Sequence, residues 1–373
     1  MRLRLADGKR GTPQHLDPSV TEEQARTLAA QASALVLAEG VTRHPRPTPG
    51  ETADEWLERW TADRERRGIS VARETAGRWR KWISPEIGHL PMRDIGCDDV
   101  ERIVDQLDAA VRAGRIRPKT AIDLWSIAQA AFRDACRAKN RTLRVRSEDP
   151  TESIPGPDGG VQRSKPWLYP VEFVALMACS EIPIRWRRLF ALATYLYLRA
   201  GELAALTVDD VDLVGGVVLV HRAAPRVGPR GAQAERGTKP TKTLITHRVP
   251  IEPNLRPLLA AMIEEARAEG RTRLVRMPPL EDLATQLRRY LDRAGVRRAE
   301  LFADDETRAP LTFHDLRATG ITWRAVRGDD PLKIQRAVGH KSLATTQRYI
   351  REAEVIGGDI GEPFPSLPVA ATQ

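Results

Sequence analysis

A polar run rich in Gly and Pro, Ser147 to Lys165, separates two stretches whose apolar residues recur at helical spacing. It reads as an interdomain linker, so the chain must bury two separate hydrophobic cores. Before it, Trp56, Leu57 and Trp60, then Trp79 and Trp82, then Val100, Ile103, Val104 and Leu107 mark successive amphipathic helices. Leu124, Trp125, Ala128 and Phe132 continue the pattern. After it, Pro170 suits a first helical turn, and helices are predicted over 171–178, 189–198, 200–206, 255–268, 280–294, 313–326 and 331–338. The period changes only between Val208 and Ile251. There Gly215-Gly216 turns the chain, Val217 to Val220 is β-prone, and Thr243 to Ile251 reads as a returning strand.

The expected architecture is mainly α: a helical domain followed by an α+β domain in which helices surround a small antiparallel sheet. Its expected divisions are an N-terminal accessory region and linker over 1–48, the helical domain over 49–146, the linker over 147–165, the α+β domain over 166–356, and a flexible tail over 357–373. The accessory region contains a helical stretch from Glu22 to Ala38 and a Pro-rich segment from His44 to Gly50.

Charge narrows the partners. The 373 residues carry 59 Lys and Arg against 50 Asp and Glu, a net charge of +9, which favours a polyanion such as DNA. No apolar run reaches the roughly 20 residues that span a bilayer, and no apolar stretch with a cleavage site follows Met1 to Arg10. A cytoplasmic protein without a membrane partner is expected. Cys97, Cys136 and Cys179 are odd in number, far apart and not in CxxC pairs, which fits neither a disulfide framework nor a zinc site. No cluster of carboxylates or His stands at metal-ligand spacing, so no metal and no cofactor is expected.

Several short motifs are ambiguous singly. His314 and Arg317 would emerge on one helical face behind the capping residue Thr312, as an anion-binding pair or as a solvated charged face. Arg199 and Glu202, three apart, are a carboxylate orienting a phosphate-binding guanidinium or an ordinary helix ion pair. Lys239 and Lys242 lie on or beside a predicted hairpin, and Tyr349 follows His340 by nine residues.

Their order removes much of the ambiguity. Arg199 with Glu202, then Lys242 on the hairpin, then His314 with Arg317, then His340, then Tyr349 together resemble the tyrosine recombinase (phage integrase) family. The resemblance covers roughly Trp167 to Arg351, and more loosely Thr52 to Lys139, where Ile87-Gly-His-Leu-Pro-Met-Arg-Asp-Ile95 is similar to the family's helical core-binding domain. Leu196-Tyr197 stands where Thr-Gly often precedes the first Arg, Val338 replaces a usual Leu, and Ala318 a frequent His.

The resemblance implies a site-specific recombinase that cuts and rejoins DNA through a 3′-phosphotyrosyl link to Tyr349, without ATP or metal. Arg199 and Arg317 would hold the nonbridging oxygens, His340 would add a donor, and His314 would help handle the nucleophile's proton. Lys242, favoured over Lys239 by its eight-residue distance to Pro250, would protonate the leaving oxygen, and Glu202 would orient Arg199. It also implies duplex DNA at attachment sites as partner, a homotetramer on synapsed DNA formed from free monomers, and integration or excision of a mobile element. An accessory directionality factor stays open, as does docking of residues after Tyr349 on a neighbouring copy. Arg80 and Lys81, interleaved with Trp79 and Trp82 and preceded by Arg73, are candidate DNA contacts or plain solvated charges beside core Trp, and Arg222, Arg236, Lys239 and Arg248 are further candidate DNA contacts. A type IB topoisomerase and a non-catalytic DNA-binding relative remain the competing readings.

Overall fold

A computed structural model describes residues 20–38, 50–224, 239–240, 246–356 and 358–368. The chain divides into two compact units, the first ending at Gly160 and the second beginning at Val161.

In the first unit α1 (Glu22–Ala38) precedes α2 (Ala53–Arg66), α3 (Ala72–Trp82), the single turn α4 (Ser84–Ile87), α5 (Cys97–Arg112) and α6 (Pro118–Arg137). Helix α2 starts where Thr52 and Glu55 exchange hydrogen bonds: the Glu55 amide donates to Thr52 Oγ1 at 3.2 Å and the Thr52 amide to Glu55 at 2.8 Å. Behind this cap Trp56 and Trp60 stack at 5.7 Å and are buried with Trp79, Phe132, Ile103 and Leu107. Their indole N–H groups still find acceptors, Trp56 on the Leu143 carbonyl at 2.9 Å and Trp60 on Asp134 at 2.7 Å. Residues 147–160, read from sequence as part of the linker, hold to this unit. Thr151 is buried, and a Cβ on Gly156 would stand 2.6 Å from the Trp125 ring.

The second unit opens with α7 (Pro170–Ala178), α8 (Ile184–Tyr195) and α9 (Ala200–Ala205). Among the described residues five short strands follow: β1 (Val211–Asp212), β2 (Val217–Val220), β3 (Arg222–Ala223), β4 (Lys239–Pro240) and β5 (His247–Pro250). They form antiparallel sheets ordered β1-β2-β5 and β3-β4. Val218 pairs with Val249 and Val220 with His247, and all four are buried, the period-2 burial of a sheet with one covered face. Helices α10 (Arg256–Ala268), α11 (Leu283–Arg293), α12 (Phe313–Val326), α13 (Pro331–Val338) and α14 (Leu343–Glu354) complete the unit.

Helix α8 is buried from Trp186 to Tyr195 and packs against α12. The contact depends on Gly320, where a Cβ would stand 1.9 Å from the Thr194 carbonyl and 2.8 Å from the Tyr197 ring. Gly320→Ala forces the two helices apart and should cost roughly 3 kcal/mol, the upper range for overpacking a close-packed core. Thermal or urea unfolding of the variant measures it.

The flexible tail expected over 357–373 is corrected in its described part. Residues 358–368 pack on their own unit, where Ile360 and Phe364 are buried. The Asn254 side chain donates to the Phe364 carbonyl at 2.8 Å, the Val171 amide to Ile360 at 3.3 Å, and the Tyr195 hydroxyl to Pro365. Gly and Pro composition suggested a solvated tail; burial of Ile360, and of Phe364 against the rings of Tyr195, Tyr197 and Trp323, outweighs it.

Candidate active site

Four segments of the second unit supply the site. Arg199 caps the short helix α9, and its backbone amide and Nη1 both donate to Glu202, each at 2.8 Å. Glu202 is 2% exposed, and its Oε2, which accepts from the Arg199 amide, also lies 3.9 Å from Arg317 Nη1. One buried carboxylate therefore stands between two guanidinium groups.

Arg317 comes from the second turn of α12. Thr312 starts that helix with its amide and hydroxyl on Asp315, at 2.8 and 2.6 Å, so the helix begins where His314 and Arg317 face one side. Arg317 Nη2 donates to the Val338 carbonyl at 2.6 Å and Nη1 to the Tyr197 carbonyl. Burial, then the neighbouring Arg199 charge, lowers its pKa to about 10, while Glu202 and Tyr349 pull it upward. It stays cationic at neutral pH.

His340 follows Gly339, which ends α13 in the left-handed region at φ +67°. A Cβ there would also meet the His247 ring at 2.9 Å, so glycine is required twice. His340 Nδ1 lies 3.0 Å from Thr346 Oγ1, and its ring stacks on Tyr349 with centroids 6.0 Å apart. Loss of hydration, then Arg317, Arg199 and Arg348, depress its pKa from 6.5 to about 4. The folded state therefore binds fewer protons than the unfolded chain between these values. Stability contributed by neutral His340 is fully present above pH 6.5 and is lost as pH falls toward 4. Urea midpoints should drop more between pH 7 and pH 4.5 for wild type than for His340→Gln.

His314 opens to solvent yet is also held below its usual pKa, first by the mass of protein around it and next by Arg317; Asp315 opposes this. Lys165 joins the rim through an ion pair with Asp315 at 3.2 Å. Sequence reasoning passed over Lys165, Thr346 and Tyr197; only the departure at Leu196-Tyr197 hinted at the last.

Lys242 and Arg236 lie outside the described residues, and Lys239 sits on β4 opposite Ala223. Among the candidate DNA contacts, Arg73 pairs with Glu65 and Arg80 with Glu58, all four exposed, while Lys81 lies 5.5 Å from the Trp82 ring centre. Arg248 is exposed on β5. Arg222 turns inward instead: Asp210, 6% exposed, accepts from it at 2.7 Å, and Thr207 at 2.6 Å, so its charge is committed within the unit. Among the described residues no group of three or more His, Cys, Asp or Glu is placed to hold a metal ion, and no helix is long and apolar enough to cross a membrane.

A helical unit, followed by a helical unit with a small antiparallel sheet that gathers Arg, His, Arg, His and Tyr in this order, is the tyrosine recombinase fold. Solved structures agree. The Tn1549 transposon integrase bound to transposon right end DNA matches with a TM-score of 0.62 at 16% identity, over 81% of this chain and 98% of that one. A lambda integrase dimer bound to a COC′ core site matches with 0.58 at 16% identity, over 93% and 99%.

Residues 166–355 match the phage integrase family, and the chain belongs to it. The tyrosine recombinase XerD of Xanthomonas axonopodis pv. citri is 27% identical over 81% of this chain and 93% of its own length. The XerA of Thermococcus kodakarensis is 31% identical over 55% and 64%. The chain spans about half the length, 44%, of the prophage phiRv2 integrase of Mycobacterium tuberculosis, to which it is 28% identical over 176 residues.

Proposed function

We propose that this chain is a site-specific DNA recombinase that breaks and rejoins strands through Tyr349. The observation that carries the reading is the stacked His340–Tyr349 pair beside an arginine, Arg317, held by buried acceptors and by Glu202. Such a group of fixed cations suits a phosphate whose charge grows in the transition state.

In this reading the Tyr349 hydroxyl attacks the phosphorus, the new bond is a 3′-phosphotyrosine, and the bond to the 5′-oxygen breaks. His314 helps take the phenolic proton, and Lys242 returns one to the leaving oxygen. In the tautomer in which Nδ1 accepts from the Thr346 hydroxyl, neutral His340 carries an Nε2–H that can donate to a nonbridging oxygen. Arg199 and Arg317 neutralise the same oxygens, and Glu202 keeps both forks in register. The phosphotyrosine retains the energy of the broken bond, so a 5′-hydroxyl from another strand reverses the step without ATP.

Duplex DNA is the proposed partner, with integration or excision of a mobile element as the outcome. The solved relatives were captured on DNA, among them a lambda integrase tetramer bound to a Holliday junction, which supports four copies acting on two synapsed sites. Whether the substrate is an attachment site is tested with a nicked duplex taken from the DNA flanking the gene. In EDTA a covalent protein-DNA adduct should appear on a denaturing gel at the rate seen with magnesium. DNA binding without an adduct under both conditions overturns the reading in favour of a non-catalytic binding protein.

A further inference from the structure

Among the described residues two non-glycine positions have left-handed backbones, Tyr197 at φ +53° and Phe364 at φ +55°. They touch: their rings meet edge to face with centroids 6.1 Å apart. An L side chain is disfavoured in this region, so each persists only because its surroundings hold it.

The Tyr197 side is tied to the site. Its carbonyl accepts from Arg317 Nη1, and its left-handed backbone lies in the short turn between the end of α8 at Tyr195 and Arg199 at the head of α9. Its ring is fully buried and gripped on several sides. Gly320, one turn beyond Arg317, leaves the space for it, Arg324 lies 5.7 Å from its centre, and its hydroxyl donates to Glu252 at 3.3 Å.

Phe364 closes the remaining side. It packs edge to face on Tyr195 at 5.4 Å and Trp323 at 5.5 Å as well as on Tyr197, and Arg327 covers it at 4.7 Å. Arg327 in turn is bidentate to Glu252, at 2.8 and 2.9 Å, the same carboxylate that accepts from Tyr197. The segment after Tyr349 thus returns to the residue that aims Arg317.

We propose that Tyr197 is a positioning residue for Arg317, and that the C-terminal segment 358–368 keeps it in that role through Phe364. Without the Phe364 ring, Tyr197 relaxes toward an ordinary backbone conformation, its carbonyl turns away, and Arg317 loses an acceptor that fixes its fork. This rests on the proposed reading of Arg317 as a phosphate ligand.

The test compares wild type, Phe364→Ala, Phe364→Leu and the benchmark Arg317→Ala in single-turnover adduct formation. Two substrates are used, one with the natural scissile phosphate and one with a neutral methylphosphonate, which needs no cation at the replaced oxygen. Phe364→Ala should slow the phosphodiester reaction about 10-fold or more, the loss of one hydrogen bond to a charged group. It should slow the methylphosphonate reaction much less, as Arg317→Ala does, and Phe364→Leu should recover most of the rate. Equal slowing on both substrates means a general structural role and overturns the proposal.

Amide hydrogen exchange gives a second measurement that needs no activity. Phe364→Ala should speed exchange at 198–203 while leaving the first unit unchanged, and unchanged exchange at 198–203 also sinks the idea. A wild-type protein that forms no adduct while this exchange response is present would overturn the recombinase reading alone.

Discussion

Replacing Tyr349 with Phe is expected to abolish the covalent adduct, a loss of at least about 10⁴-fold, while DNA binding stays within about 2-fold of wild type. The substitution removes one oxygen from a half-buried side chain and leaves the ring that stacks on His340. Folding should therefore change by less than about 1 kcal/mol, and a melting curve confirms that the variant is intact. In the proposed reading binding would be spread over many phosphate contacts and would not depend on one hydroxyl, so the two losses should separate cleanly. A residual adduct in Tyr349→Phe would move the nucleophile to another residue.

The main features legible in the sequence were those that depend on local periodicity and on order along the chain. Helices α12 and α13 fall where apolar spacing and the residues at their first turns, Thr312 and Pro331, placed them. Strand β2 coincides with the β-prone Val217–Val220, whereas the returning strand shortens to His247–Pro250 within the predicted 243–251. The order Arg199, His314, Arg317, His340, Tyr349 pointed to a common site through its resemblance to the tyrosine recombinase family, since each motif alone was ambiguous.

What stayed hidden depends on contacts distant in sequence. Nothing near Phe364 announces that it will fill a pocket made by Tyr195, Tyr197 and Trp323, so Gly and Pro around it read as a loose tail. Arg222 read as a candidate DNA contact, and its ion pair went unnoticed because its partner Asp210 lies twelve residues earlier, across β2. The left-handed turn at Tyr197 was visible only as a departure from the resemblance, a Tyr where Gly is usual. Glycine takes that backbone without strain, and this chain needs a full set of tertiary contacts to hold tyrosine there.

Glu202→Ala should produce the second large effect, and it separates charge from geometry. In wild type the carboxylate satisfies the Arg199 backbone amide and side chain and offsets the charge of Arg317. Its removal leaves Arg317, already lowered to about pKa 10 by burial and by Arg199, without its compensating anion. Breaking a buried pair from one side typically costs about 3–5 kcal/mol, so the variant should unfold at markedly lower urea. In the fraction that remains folded, adduct formation should fall about 10²-fold, since neither fork is held against the phosphate. Glu202→Gln keeps the shape and one acceptor oxygen but brings an NH₂ where a guanidinium also donates. It should cost less stability than alanine while losing nearly as much rate. Equal rates for wild type and Glu202→Gln would show that the charge of Glu202 is dispensable and that only its cap on α9 matters.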